Sequence, residues 1–397
     1  MKRSEALRAA AARLAVILCL ASAAAAAPAE TLRPTPGSWP IFRGDGGLSG
    51  VAPMRLPVAL KLRWVFKTGG PVKSSAVVEG GRAIVGSSDG KVYALDLATG
   101  RRLWDRDTGS PVEAPPVLDG EAVYVGTLGG LLLRLDAATG RVHWKAETGG
   151  QIMGSANVHR TGPSEGAGKP PRATVIVGSY DGSLYGVDAR NGRVSWTFPT
   201  GNFINGAPAV VGNLAVFGGC DGLLHAVSLL DGKEVSAVPA GSYIPASPAV
   251  AGGRAFAGTA TGRLLSADIA NGKTVWENDG GQGSARGAGY FSSPAAGAGI
   301  VAVGSRDGSV VCVEAATGKA RWTWNAGAAV DGSPVIAGDA LVVGTMDGRL
   351  VVLALADGRL RWSYEIGGPL AGSPAVAAGM VIVGSDDGSV YAFGSAP

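Results

Sequence analysis

"VGSSDGKVYALDLATGRRLW", Val85 to Trp104, holds an Asp-Gly turn, an alternating apolar strand, a Thr-Gly turn and a lone tryptophan. Near-copies follow it: "VGTLGGLLLRLDAATGRVHW" ends at Trp144 and "VGSYDGSLYGVDARNGRVSW" at Trp196. The tryptophans of this slot stand at 64, 104, 144, 196, 276, 322 and 362, in steps of 40, 40, 52, 80, 46 and 40 residues. The step of 80 is two repeats, with Ser236 in the tryptophan's place. A fixed period of this length marks a repeat architecture, and it has to be recognised before any other reading of the chain.

The Asp-Gly signal counts the repeats independently. It falls at Asp89, Asp181, Asp221, Asp307, Asp347 and Asp387, with Gly129 and Thr261 at the two deviant copies, and a glycine stands three residues before each. That makes eight units. Within a unit, alternating Val, Tyr and Leu between turns specifies short strands and no helix. The Asp-Gly pair reads as a hairpin turn whose two central residues both take positive φ, and the Thr-Gly or Asn-Gly step reads as a second turn.

Four strands at a 40-residue period predict an all-β, eight-bladed propeller of four-stranded antiparallel blades. The termini support it. The last unit, ending "VYAFGSAP", lacks its tryptophan strand, and "KLRWVFKTGG" (Lys61–Gly70) is an orphan tryptophan strand ahead of the first unit. The N-terminal strand is expected to complete the last blade and remove an open sheet edge.

"ALDLATGRRLW", "SADIANGKTVW" and "CVEAATGKARW" resemble the A-x-D-x-x-T-G-K-x-x-W docking motif of the PQQ-repeat, or quinoprotein-like, propellers. The resemblance covers residues 61–397, and "SWPIFRGDGG" (Ser38–Gly47) resembles a segment that precedes secreted members of the same superfamily. Two branches share the fold. One comprises dehydrogenases dependent on calcium and PQQ. The other is non-catalytic and includes the propeller lipoprotein of the outer-membrane β-barrel assembly machinery.

The chain's first residues have the form of a secretory signal. Lys2, Arg3, Arg8 and Arg13 precede the apolar run Leu14–Leu20 and a small-residue stretch that permits cleavage after Ala26 or Ala29. The expected domains are therefore a signal peptide at 1–27, an extension at 28–60 and the propeller at 61–397. The run is too short for a membrane span. Leu18 before Cys19, where a lipobox wants a small residue, argues against lipidation. Without residues 1–27 the chain carries 31 basic and 30 acidic side chains, so nothing in its charge suggests nucleic acid or an anionic membrane surface. The expected location is periplasmic or secreted, with a peripheral outer-membrane association open, and the expected state is a monomer. Cys220 and Cys312 sit in different repeats and read as two free, buried thiols.

What recurs is scaffold, so function is sought where equivalent positions differ. Nine residues after the tryptophan slots stand Lys73, Glu113, Met153, Asn205, Pro245, Phe291 (displaced by a six-residue insertion), Asp331 and Ala371. Just before the Asp-Gly slots stand Ser88, Leu128, Tyr180, Cys220, Ala260, Arg306, Met346 and Asp386. Both sets belong to loops on one face, and they form two variable rings around one mouth. The insertion "NDGGQGSARGAGYFSSP" is expected to set Tyr290 and Phe291 beside that mouth, near Phe203 and Tyr243. Aromatic residues on a rim suit a protein or peptide partner. A twelve-residue insertion, "HRTGPSEGAGKPP", falls on the opposite face.

The dehydrogenase branch implies a vicinal Cys-Cys pair, a Glu/Asn/Asp calcium set and a catalytic Asp. No two cysteines are adjacent here, and Glu113, Asn205, Asp331 and Arg306 come from separate units. His143, His159 and His225 are scattered without metal-ligand spacing. The sequence therefore favours a binding or assembly scaffold without cofactor over a PQQ- and calcium-dependent oxidoreductase or its vestigial relative. The expected partner-binding residues are Lys73, Glu113, Met153, Tyr180, Phe203, Asn205, Tyr243, Tyr290, Phe291, Arg306 and Asp331.

Overall fold

The computed structural model describes residues 30–57, 59–161, 172–279 and 288–395. The expected signal peptide, residues 162–171 of one insertion and residues 280–287 of the other lie outside the described residues. The rest is β-structure in eight sheets, an eight-bladed propeller. The first blade has strands Val77–Glu79, Arg82–Gly86, Lys91–Asp96 and Arg102–Asp107, and the other blades repeat this order. Successive strands pair antiparallel, with a register shift in the pairing of strands three and four, as between Ala94 and Leu95. Among the described residues no helix is long and apolar enough to cross a membrane.

The ring closes as the orphan strand predicts. Lys61–Lys67 pairs antiparallel with Ser389–Gly394, so the last blade takes its outermost strand from the N-terminal side.

The repeated residues hold neighbouring blades together. The Trp104 ring is buried against Gly140 of the next blade, where an added Cβ would stand 2.6 Å from it. Its indole N–H donates to the Ala137 carbonyl at 3.0 Å, and Trp64, Trp144, Trp276 and Trp322 make the equivalent bond. Each ring thus buries a large apolar area while its polar edge stays satisfied. A second peg works nearer the mouth. Val112 presses on Gly86, where a Cβ would meet Val112 Cγ1 at 2.3 Å, and this explains the glycine that precedes every Asp-Gly signal.

The Asp-Gly turn differs from the expected two-residue hairpin. Only the glycine has positive φ, +88° at Gly90. The loop is wider, closed by Gly90 N–H to Ser87 O and Ser87 N–H to Lys91 O. Asp89 acts through its side chain, accepting from the amides of Gly69 at 2.7 Å and Lys91 at 2.9 Å and from the Tyr93 hydroxyl at 2.6 Å. Its carboxylate therefore ties the turn to the preceding loop.

The extension before the ring is the main feature the repeats do not announce. Residues 36–50 coil inside the channel and bond to the innermost strands of the blades. The amides of Leu118, Val210, Val250, Ala296 and Ile336 donate to the carbonyls of Pro40, Gly46, Gly47, Ser49 and Gly50. Trp39 pairs with Val78 in the first blade, and Ala378 N–H donates to Pro36 O in the last. In the third blade the Asn157 side-chain amide reaches Gly46 O at 2.8 Å. Glu30–Thr31 and Val51–Ala52 add short strands on the inner edges of the third and seventh blades. Ile41, Phe42 and Leu48 enter one core cluster and Trp39 another, so the segment is a plug that forms part of the hydrophobic core.

Candidate functional site

Ring geometry places the two variable sets on one face. The loop entering strand one and the turn between strands two and three touch there; Val112 N–H, for instance, donates to Ser87 O. All eight residues of the inner set line one axial cavity of about 170 Å³: Lys73, Glu113, Met153, Asn205, Pro245, Phe291, Asp331 and Ala371. Two residues further along each strand, a collar of small side chains lines the same cavity: Ser75, Pro115, Ser155, Ala207, Ser247, Ser293, Ser333 and Ser373. Phe42 of the plug lines it as well, and the plug's backbone contacts lie deeper, at the level of Val78 and Leu118. The mouth is therefore a blind cup.

The outer set surrounds the cup and engages the inner one. Arg306 grips Asp331 in a fork, Nε to Oδ1 at 3.0 Å and Nη2 to Oδ2 at 3.0 Å, and its guanidinium lies 3.4 Å from the Phe291 ring centre. Lys73 Nζ meets Glu113 Oε1 at 3.1 Å, and the Ser88 hydroxyl donates to the same oxygen. Asn205 donates to Cys220 Sγ at 3.3 Å, while its Oδ1 is buried with no hydrogen-bond partner among the described residues. Tyr180 stacks on Phe203 at 5.0 Å, and Tyr243 meets Phe291 edge-on at 6.4 Å. Burial raises the pKa of Asp386, of the Tyr180 phenol and of the Cys220 thiol.

The face thus has two arcs. From the third to the sixth blade it is aromatic, with Phe203 48% and Tyr243 40% exposed. From the sixth blade round to the second it carries the pairs Arg306–Asp331 and Lys73–Glu113, which contribute little affinity of their own, and Asp386, whose buried Oδ1 has no hydrogen-bond partner among the described residues.

One expected rim residue is misplaced. Tyr290 is 1% exposed and packs with Phe256 and Val301 in the core. It fills the peg position of Val112: a Cβ on Gly258 would meet Tyr290 Cβ at 2.4 Å. The signal was available, because Tyr290 immediately precedes Phe291 just as Val112 precedes Glu113. The serine collar and Phe42 were missed. The first looked like repeated scaffold, and the second lies far away in sequence. Cys220 and Cys312 are free, but only Cys312 is buried and Cys220 is half-buried at the mouth.

Among the described residues, the groups that the dehydrogenase branch would use for a quinone and calcium are not brought together. The two cysteines are not vicinal, and Cys312 lies within a strand and a core cluster. Glu113 and Asp331 share the cavity wall but are bound to Lys73 and Arg306. Among the described residues no group of three His, Cys, Asp or Glu side chains is placed to hold a metal. His159 bonds to Asn213, and His225 lies between Asp221 and Glu234, both as buried structural groups.

Comparison with known proteins agrees with this architecture. The fold matches BamB from Moraxella catarrhalis with a TM-score of 0.68 and 22% identity, over 85% of this chain and 98% of that one. It also matches the quinohemoprotein alcohol dehydrogenase from Comamonas testosteroni (TM-score 0.68, 17% identity, 92% and 82% covered). A europium-containing methanol dehydrogenase matches with a TM-score of 0.73 at 14% identity, over 92% of this chain and 99% of that one. At these identities the likeness shows the fold alone. A search of curated protein sequences finds no match. The family model described as outer membrane protein assembly factor BamB matches residues 57–202, 147–289, 180–328 and 306–396. With most of the ring matched, the chain belongs to the BamB family of PQQ-repeat propellers.

Proposed function

We propose that the protein is a non-catalytic periplasmic propeller that holds a protein partner on its mouth face during outer-membrane protein assembly. The observation that carries this reading is the aromatic arc. Phe203 and Tyr243 are large, exposed and placed at variable positions of an otherwise repetitive ring. Such residues anchor protein interfaces. Family membership supplies the assembly context, and the signal-like leader supplies the compartment. The preoccupied carboxylates and separated cysteines weigh against the dehydrogenase alternative.

The test is photocrosslinking in the native envelope. A crosslinking amino acid at Phe203 or Tyr243 should trap one defined protein, and the same group at Leu230, an exposed residue in a turn of the opposite face, should not. Trapping from Leu230 alone would place the partner on the other side of the ring.

A further inference from the structure

The collar below the rim is a chain of hydrogen bonds running round the channel. The amide of Ala207 donates to Ser247 Oγ, that of Ser247 to Ser293 Oγ, of Ser293 to Ser333 Oγ, of Ser333 to Ser373 Oγ and of Ser373 to Ser75 Oγ, at 2.7 to 3.2 Å. A hydroxyl that accepts an amide proton still carries its own. Among the described residues none of these five has a protein acceptor for that proton, and all five line the cup. On the same wall, Asn205 Oδ1 is a buried acceptor with no donor among the described residues. The cup therefore offers several hydroxyl donors and one amide acceptor, above an apolar floor at Phe42.

A volume of about 170 Å³ holds on the order of ten waters. A ligand displaces them favourably only if it reproduces their bonds. It must therefore both accept and donate. It need not carry charge, because Lys73 is matched to Glu113 and Arg306 to Asp331. A carboxylate would add negative charge beside Glu113 and Asp331. A sugar would want a free aromatic face, and the one aromatic of the outer lining, Phe291, is covered by Arg306. Uncharged amide groups meet both requirements, since each has a carbonyl for the collar and an N–H for Asn205.

We infer that the cup is a binding site for uncharged polypeptide main chain, inserted by the partner that docks on the rim. This rests on the mouth-face reading above, but it can be tested separately. Met153 lies on the cavity wall, whereas Met54 packs against the core away from it, so methionine methyl NMR of the full-length protein gives a probe and an internal control.

N-acetyl-glycylglycine N-methylamide should shift the Met153 methyl saturably, with a Kd on the order of 1 mM for so small a ligand, and leave Met54 unmoved. Asn205→Leu should weaken the response about fivefold, and Ala371→Phe, which fills the mouth from the rim, should abolish it. Sodium acetate and glucose should have no saturable effect. The inference is overturned if acetate or glucose saturates while the amide does not, if no probe moves Met153, or if Ala371→Phe leaves the response intact. Crosslinking from Phe203 without any amide response would retain the docking surface and remove this site. An amide response without crosslinking would do the reverse.

Discussion

Trp39 and Val78 exchange two backbone hydrogen bonds, Trp39 N–H to Val78 O at 2.6 Å and Val78 N–H to Trp39 O at 2.9 Å. With this pair the segment before the ring enters the channel as one more piece of sheet. Strand one of a propeller blade has a free inner edge, and here eight such edges converge on one axis. The plug offers each a partner, so the ring is closed at its outer circumference by Lys61–Lys67 and along its axis by residues 30–52.

Removing the plug should therefore be far more damaging than trimming an arm. Deleting residues 30–52 leaves the amides of Leu118, Val210, Val250, Ala296 and Ile336 facing an emptied channel. Each unsatisfied group costs about 1–3 kcal/mol unless water reaches it. The point variant Trp39→Ala, at a side chain only 1% exposed, should cost about 3–5 kcal/mol. Urea denaturation would show this as a lower midpoint. A deletion variant that unfolds like the parent would mean that the ring stands without its plug.

Inside the plug, Arg43 is buried and Asp45 half-buried. Burial presses the guanidinium pKa down to about 9 while Asp45 draws it back up, and it stays protonated at neutral pH. Burial likewise raises the Asp45 pKa, opposed by bonds from Ser49. Arg43 Nη2 donates to Pro294 O at 3.0 Å, and Nε and Nη1 have no hydrogen-bond partner among the described residues. Arg43→Met alone should destabilise by about 1.5–3 kcal/mol, because it removes the bond to Pro294 and the charge facing a half-buried carboxylate. Adding Asp45→Asn should recover most of that loss. A double-mutant cycle with no coupling between the two would show that they do not act as a pair.

Most of the fold was legible because repetition amplifies weak local signals. A single Thr-Gly turn ahead of a tryptophan says little, but eight units in register leave one architecture, and the orphan strand at 61–67 even gives its closure. The rim positions were legible for the same reason, since a fixed offset from each tryptophan delivers eight residues to one cavity. What stayed hidden has a common cause. The contacts of Trp39 with Val78 and of Arg43 with Pro294 join a non-repeated segment to distant blades, and no local pattern encodes such partners. The error at Tyr290 is of another kind. Aromatic character suggests exposure there, whereas the residue's offset from the tryptophan slot assigns it to the peg on Gly258.

Acid should loosen the turns on the opposite face. Asp96 accepts from the Thr99 hydroxyl at 2.7 Å and its amide at 2.9 Å, and these bonds hold its pKa below the ordinary aspartate value. Thr139 does the same for Asp136. A carboxylate whose folded pKa is depressed stabilises the native state above its unfolded pKa, about 3.9, and loses that contribution as pH falls through the folded value. Stability should thus decline below about pH 4. Thr99→Val with Thr139→Val should flatten the decline by letting both carboxyls titrate nearer their unfolded values. Urea midpoints measured from pH 5 to pH 2 would show it, and an unchanged slope would remove these turns from the acid response.

Tyr290 and Phe203 separate stability from recognition. Tyr290→Ala empties a buried site against Gly258 and should cost about 3–5 kcal/mol, with partner docking intact in the fraction that remains folded. Phe203→Ala with Tyr243→Ala removes two exposed rings and should leave the unfolding free energy within about 0.5 kcal/mol per site of the parent. Truncating an interfacial aromatic anchor costs about 2 kcal/mol, so the rim variant should lose at least thirtyfold in affinity. The rim variant, carrying a crosslinking group at Met346 of the same face, should then fail to trap the partner that the parent ring traps from that position. Retained trapping by the Phe203/Tyr243 variant, together with loss in a well-folded Tyr290 variant, would show that the exposed arc does not recognise the partner.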